Sequence, residues 1–196
     1  MNLPLLLILR HGETEWNVEK RVQGRKDSPL TNKGRAQAAA QGRLLQPLMQ
    51  AHPSAKIICS PLGRTRATAT IALRGISKAM TLDARLQEVS AGDWEGMLRP
   101  EIYDRFTQEL SLNNEFDLFT KAPGGETEEQ LRTRCQTFLD DMRGPTVAIT
   151  HGITSLMMRG LAQGMAYDDM AMQTREQGCI YFVENGVETC LREPDN

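Results

Sequence analysis

Two histidines in this chain of 196 residues stand where a packed core would have no use for them. The run Leu5-Leu6-Leu7-Ile8-Leu9 ends in Arg10-His11-Gly12, and Thr146-Val147-Ala148-Ile149-Thr150 ends in His151-Gly152. Arg10 brings a rigid fork of donors suited to phosphate oxygens. Gly12 lets backbone approach the His11 ring closely. A ring whose Nδ1–H is held by a backbone carbonyl keeps a lone pair on Nε2, and that nitrogen is a nucleophile. Ser60 closes a third apolar run, Lys56-Ile57-Ile58-Cys59, and Arg64 follows it as a second cation. His151 precedes a helix start, which favours anions. Arg66 reads as a solvated helix residue. Two histidines and two arginines at one edge fit a phosphoryl group.

A leaving alkoxide needs a proton, and a nucleophilic histidine cannot supply it. A carboxylic acid beside the leaving oxygen can. Within Leu86-Gln87-Glu88-Val89-Ser90-Ala91-Gly92-Asp93-Trp94-Glu95-Gly96 the candidates are Glu88, Asp93 and Glu95, and the residues alone do not choose among them. The three histidines, His11, His52 and His151, make no close pair, and no Cys-x-x-Cys occurs. The expectation is a site without metal or cofactor. Gly124-Gly125 matches neither a dinucleotide fingerprint nor a Walker loop.

The elements that must position these residues can be read from periodicity. Leu5 to Leu9, Lys56 to Ser60 and Thr146 to Thr150 are short apolar runs of the kind found in strands covered on both faces. Met80 to Leu86 reads as a third strand in chain order. Thr31 is an N-cap for a helix running to about Gln50. Pro61 suits the first turn of the next helix. Leu131, Cys135, Phe138, Leu139 and Met142 share one side of an amphipathic helix, and Ile153 to Gly164 forms another. Gly178 to Asn185 and Val187 to Glu193 read as a hairpin around Asn185-Gly186. Strands alternating with helices predict a three-layer α/β/α sandwich with a mostly parallel central sheet, where ligands sit at the carboxyl ends of strands. Residues 1–196 are expected to form one domain. A helical insertion at about 97–122, carrying Tyr103, Phe106, Phe116 and Phe119, is expected to line the substrate.

Composition sets the frame. Hydrophobic residues are 40% and charged residues 24%, with a net charge of −2, so no global charge calls for nucleic acid or a membrane surface. The four cysteines lack close pairing and read as reduced thiols, a cytoplasmic pattern. No apolar segment approaches the roughly 20 residues of a membrane span, and the apolar start lacks a signal peptide's flanks. A homodimer is compatible with this frame.

Six stretches occur in an order that resembles the histidine phosphatase superfamily, in its phosphoglycerate-mutase-like branch. They are LRHGETEWN, QGRKDSPLTNKGRAQA, CSPLGRTRATAT, LQEVSAGDWEG, PGGET and ITHG. The resemblance implies that His11 becomes phosphohistidine, that Arg10, Arg64 and His151 form the phosphate pocket, and that Glu88 is the proton donor. It also implies that Asn17, Gln23, Gly24 and Gly152 lie against the substrate. Many members carry two glycines after the second histidine, and here Gly152 is followed by Ile153. The family holds hydrolases and mutases. Bisphosphate-dependent mutases are longer, with an inserted ERHYG-like motif and basic residues for the substrate carboxylate. Here Arg99-Pro100-Glu101-Ile102-Tyr103-Asp104-Arg105 stands in that place without the motif. The expected activity is a phosphatase acting on small phosphorylated substrates. The alternatives are a mutase and a non-catalytic binding module.

Overall fold

The computed structural model describes residues 3–194. In chain order the elements are β1 (Leu6–Arg10), α1 (Glu15–Val18), α2 (Asn32–Ala51), β2 (Lys56–Cys59), α3 (Gly63–Ala72), β3 (Met80–Leu82), α4 (Arg99–Leu110), α5 (Glu115–Thr120), α6 (Glu128–Asp140), β4 (Thr146–Thr150), α7 (Gly152–Gln163), α8 (Tyr167–Ala171), β5 (Ile180–Glu184) and β6 (Val187–Leu191).

The strands form one sheet in the order β3-β2-β4-β1-β5-β6. β3, β2, β4 and β1 run parallel, and β5 and β6 close the sheet as an antiparallel hairpin. The sheet is mostly parallel, as expected. β1 alternates between two cores. Leu6 and Ile8 pack with Leu131, Cys135 and Leu156 of α6 and α7. Leu7 and Leu9 pack with Leu45, Ala69 and Ala72 of α2 and α3. A strand buried on both faces is a continuous apolar run for this reason. The helices therefore lie in two layers, one on each side of the sheet.

Local chemistry fixes the element ends. The Thr31 side chain accepts from the Gly34 amide at 3.0 Å and starts α2. Asn185 and Gly186 take φ of 52° and 76°, the left-handed pair that a tight hairpin needs. Pro61 does not open α3. The helix begins at Gly63, because the carboxylate of Asp27, from a distant loop, accepts from the Gly63 and Arg64 amides at 2.7 and 3.2 Å. The third strand stops at Leu82, where Asp83 accepts from the Arg85 amide and turns the chain into a 3₁₀ turn. α1 and α8 lie in stretches to which the sequence pattern assigns no element. Each has five residues or fewer, too short to show a helical period. Among the described residues, no helix is long and apolar enough to cross a membrane.

Candidate active site

Parallel pairing builds the site. β2, β4 and β1 are neighbours in register, with Cys59 opposite Ile149 and Arg10 opposite Thr150. The residue after each strand, Ser60, His151 or His11, therefore emerges at one edge. The His11 amide donates to the Thr150 carbonyl at 3.0 Å and the Ser60 amide to Ile149 at 2.9 Å, which carries the ladder one step further. The two imidazole centroids are 5.3 Å apart, close to the spacing of adjacent strands.

His11 is buried, and its Nδ1 lies 2.8 Å from the carbonyl oxygen of Gly12. A carbonyl only accepts, so Nδ1 carries the proton and Nε2 keeps its lone pair. The ring lines a pocket shared with Arg10, Asn17, Gln23, Arg64 and Glu88. Gly12 cannot be replaced. A Cβ there would lie 2.2 Å from the Gly34 carbonyl oxygen, where β1 meets α2.

His151 is held through its other nitrogen. Its Nε2 lies 2.7 Å from Ser60 Oγ, which also receives the Leu62 amide at 3.4 Å. The Ser60 hydroxyl has one proton and two lone pairs, so it pairs with Nε2 in either tautomer of His151. Nδ1 is buried and has no protein partner.

The arginines share this incompleteness. One arm of Arg10 donates to the Arg175 carbonyl. Arg64 donates to the carbonyls of Lys26 at 2.6 Å and Gly24 at 2.7 Å and to Asp27 at 2.9 Å, fastening the loop over the pocket. Nε of each remains buried and unpaired. An unsatisfied buried donor costs about 1–3 kcal/mol. Among the described residues six buried polar side-chain atoms lack a partner, and three of them are Arg10 Nε, Arg64 Nε and His151 Nδ1. Two orphaned guanidinium donors lining one pocket call for a ligand rich in acceptors, and a phosphoryl group brings three oxygens.

Glu88 meets them from the α7 side. Its Oε1 accepts from the amides of Val89 (3.1 Å) and Thr154 (3.0 Å), with Thr154 Oγ1, which donates to the Gln87 carbonyl at 2.7 Å, 3.1 Å away. Its Oε2 accepts from the Ile153 amide alone, at 3.1 Å. Glu88 thereby caps α7, whose N-cap His151 supplies no capping side chain. Ile153 in place of a second glycine leaves this amide contact intact. Of the other two candidates, Asp93 is exposed. Glu95 accepts from the Arg25 and Ala91 amides and from Ser90, stapling a loop, and neither it nor Asp93 lines the pocket.

The remaining expected residues line the same pocket. Asn17 Oδ1 accepts from the Thr14 amide at 3.1 Å and from Gln177 at 3.3 Å. Gln23 is buried and donates to Thr14 Oγ1 at 2.9 Å. Gly24 has φ of 53°, and a Cβ there would strike Glu95. Gly152 lies against Arg10, where a Cβ would stand 3.4 Å from the guanidinium. His151 is brought beside His11, with Nδ1 unpartnered, but it is not among the residues that line the pocket. The insertion is only partly a wall. Phe119 lines the pocket, but Phe106 stacks on Trp94, Phe116 stacks on Tyr167, and Tyr103 packs against the same core. Arg21, Arg99 and Arg175 also line the pocket, without any motif that announces them.

Electrostatics sets the protonation. Burial pushes His11 well below its ordinary value, and the positive charges of Arg64 and Arg10 push it further. His151 is lowered likewise, by burial first and Arg64 next. Burial, then Arg175, brings Arg10 down to about 10, still charged at neutral pH. This has a measurable consequence. In the unfolded chain both histidines titrate near 6.5. Below that pH the unfolded state takes up protons that the folded state refuses, so stability falls as pH drops, by up to about 1.4 kcal/mol per pH unit for each ring. Urea unfolding between pH 7.5 and 5.5 should show this slope, and the double variant His11→Asn/His151→Asn should lose it. An unaltered slope would place the titration elsewhere.

Comparison with known proteins gives the family and the fold. The model of the histidine phosphatase superfamily, branch 1, matches residues 6–188. A Salmonella paratyphi C protein named "Probable phosphoglycerate mutase GpmB" is 38% identical over 138 residues, which cover 67% of this chain and 60% of that protein. The chain thus spans under two thirds of the length of the curated relatives it matches. The structure of YhfR from Bacillus stearothermophilus superposes with a TM-score of 0.79 at 30% identity, over 98% of both chains. The alpha-ribazole phosphatase of Shigella flexneri superposes with a TM-score of 0.78 over 96% of this chain and 94% of that one, a likeness of fold at 22% identity. The family match runs across nearly the whole sheet and its helices, and the chain belongs to the histidine phosphatase superfamily, branch 1.

Proposed function

We propose that this protein is a phosphatase that hydrolyses small phosphomonoesters through phosphohistidine at His11, without a metal. The observation that carries the reading is the pair of orphaned buried donors, Nε of Arg10 and of Arg64, lining one pocket with an imidazole whose Nδ1 is held by a carbonyl and whose Nε2 is left as the lone pair. In the first step His11 Nε2 forms a bond to phosphorus while the bond to the leaving oxygen breaks. Glu88 gives that oxygen a proton from Oε2, the carboxylate oxygen with one amide donor instead of two. The orphaned donors meet the equatorial oxygens, where charge is spread in the transition state. His11 Nδ1–H delocalises its new positive charge toward the Gly12 carbonyl. In the second step water attacks phosphorus, Glu88 takes its proton, and the N–P bond breaks to give inorganic phosphate and neutral His11.

A mutase must keep its phosphohistidine dry while the substrate reorients. Here the pocket shares Arg10, Asn17, Arg21, Arg99 and Arg175 with an open groove that Lys20, Gln173 and Gln177 also line. Water reaches such a site, and this supports hydrolysis over isomerisation. Purified protein incubated with a panel of phosphomonoesters should release inorganic phosphate, and prolonged EDTA treatment should leave the rate unchanged. With 3-phosphoglycerate and 2,3-bisphosphoglycerate little 2-phosphoglycerate should form. Fast isomerisation without phosphate release would make the mutase reading correct. Loss on chelation, restored by a divalent ion, would overturn the metal-free step.

A further inference from the structure

Two cysteines without a close spacing in the chain meet on the closing hairpin. Cys179 stands just before β5, and Cys190 lies within β6. Ile180 pairs with Leu191 and Tyr181 with Cys190 in the antiparallel ladder. Side chains alternate between faces along a strand, so Cys179, Tyr181 and Cys190 share one face. A third residue reaches them. The chain before β5 folds back, with the Glu176 amide donating to Tyr181 Oη at 2.6 Å and the Cys179 thiol 3.8 Å from the Glu176 carbonyl. This return carries the Glu176 carboxylate to the two sulfurs. One carboxylate oxygen and both Sγ atoms lie within 4.8 Å of one another. None of the three residues lines the His11 pocket.

These residue types at this spacing suit one class of ion. Thiolates are soft ligands, and two of them with a carboxylate select zinc over magnesium or calcium, which take oxygen ligands. With Zn–S bonds of about 2.3 Å and a Zn–O bond of about 2.0 Å, the ligand atoms of a tetrahedral site stand roughly 3.5–3.8 Å apart. A set already within 4.8 Å reaches that spacing by closing about 1 Å. Cys179 is buried, Cys190 is half-buried and the Glu176 side chain is 43% exposed, so the ion has a path from solvent and water can take the fourth position. Charge balances as well. Two thiolates and a carboxylate are offset by a divalent ion and one guanidinium. Arg192 supplies the guanidinium, holding Glu176 through Nε at 2.7 Å and Nη2 at 2.6 Å. When the ion takes one oxygen, Arg192 keeps the other and orients the ligating carboxylate. A disulfide between the two sulfurs would leave Glu176 and Arg192 without a part.

We propose that Cys179, Cys190 and Glu176 bind one zinc ion, which fastens the closing hairpin to the segment before it. On binding, two Zn–S bonds and one Zn–O bond form, and both thiols give their protons to solvent. The fastened segment serves the active site. The Arg175 carbonyl holds Arg10, and Gln177 donates to the His11 carbonyl at 3.0 Å. The ion itself stands outside the pocket and takes no part in phosphoryl transfer, so turnover does not require it.

The test uses reduced, metal-stripped protein titrated with cobalt(II) and then zinc. One equivalent of cobalt should give a sulfur-to-cobalt charge-transfer band and the intense visible bands of a tetrahedral site, and one equivalent of zinc should bleach them. Cys179→Ser and Cys190→Ser should each remove most of the charge-transfer band. Glu176→Gln, at an exposed position that does not threaten folding, should keep the band and weaken zinc binding by at least about tenfold, since loss of an outer-shell partner alone costs that much. Zinc at a hundredfold excess over Kd should raise the melting temperature of the parent by about 5 °C or more, and should not raise that of Cys190→Ser. No charge-transfer band in the reduced parent, or a band that survives both cysteine substitutions, would overturn the proposal. So would unchanged zinc affinity in Glu176→Gln or a melting temperature indifferent to zinc.

Discussion

His11→Ala is expected to lower turnover of p-nitrophenyl phosphate by at least about 1,000-fold, the scale on which removing a nucleophile acts, with the fold retained. The variant keeps Arg10, Arg64 and His151, so it should still bind phosphate. It has no group to accept the phosphoryl transfer. Burial and two neighbouring arginines hold His11 neutral, and the Gly12 carbonyl fixes which nitrogen carries the proton, so the free protein presents the lone pair without a prior deprotonation. Rapid quench with ³²P-labelled substrate should trap acid-labile, base-stable phosphoprotein in the parent and none in the variant. Retention of activity near the parent's level would show that His11 is not the nucleophile. Folding can be followed separately, because the substitution removes a buried base that resists protonation. The acid-side loss of stability should therefore shrink in the same variant that loses turnover.

The elements that carry this chemistry were legible because they obey short-range rules. β1, β2 and β4 are apolar runs ending in polar residues, and a parallel sheet explains both features at once. α6 was legible from one apolar stripe, and Leu131, Cys135, Phe138 and Leu139 are its buried residues. What escaped is non-local. Nothing near Pro61 reveals that Asp27 caps α3. Nothing near Arg175 reveals that its carbonyl holds Arg10 while its side chain reaches Glu115. Aromatic residues between 97 and 122 pointed to a substrate wall. An aromatic side chain serves a core equally well, and Phe106 and Phe116 pack there while Phe119 lines the pocket. Among the acids, Glu88, Asp93 and Glu95 were equivalent by residue type. Resemblance selected Glu88, and the geometry separates them by what each touches: α7 amides and the pocket for Glu88, a loop for Glu95, solvent for Asp93.

Glu88→Gln is expected to divide substrates by their leaving group. An alkyl phosphate departs as a strongly basic alkoxide and needs a proton as the bond breaks. p-Nitrophenolate is a far weaker base and departs almost unaided. General acid catalysis is worth about 10²–10⁴-fold, so turnover of alkyl phosphates should fall by that order, while the first step with p-nitrophenyl phosphate should slow much less. Glu88 also takes the proton from water in the second step. Phosphohistidine should therefore accumulate in the variant and give a burst of p-nitrophenol followed by a slow steady rate. The substitution carries a structural cost that has to be separated from this. The carboxylate accepts at both oxygens from successive amides of α7, and an amide in its place turns one acceptor into a donor facing an N–H. That mismatch costs about 1–3 kcal/mol of stability and displaces the site for every substrate alike. The leaving-group dependence is the diagnostic, because a displaced site lowers both esters by the same factor and traps no intermediate. Glu95→Gln loosens a loop without touching proton transfer, so it should affect both ester types equally and show no burst. Equal losses in Glu88→Gln with no trapped phosphoenzyme would take the proton-donor role from Glu88. That result would leave Glu88 as the cap that orients α7 and its two amides beside His151.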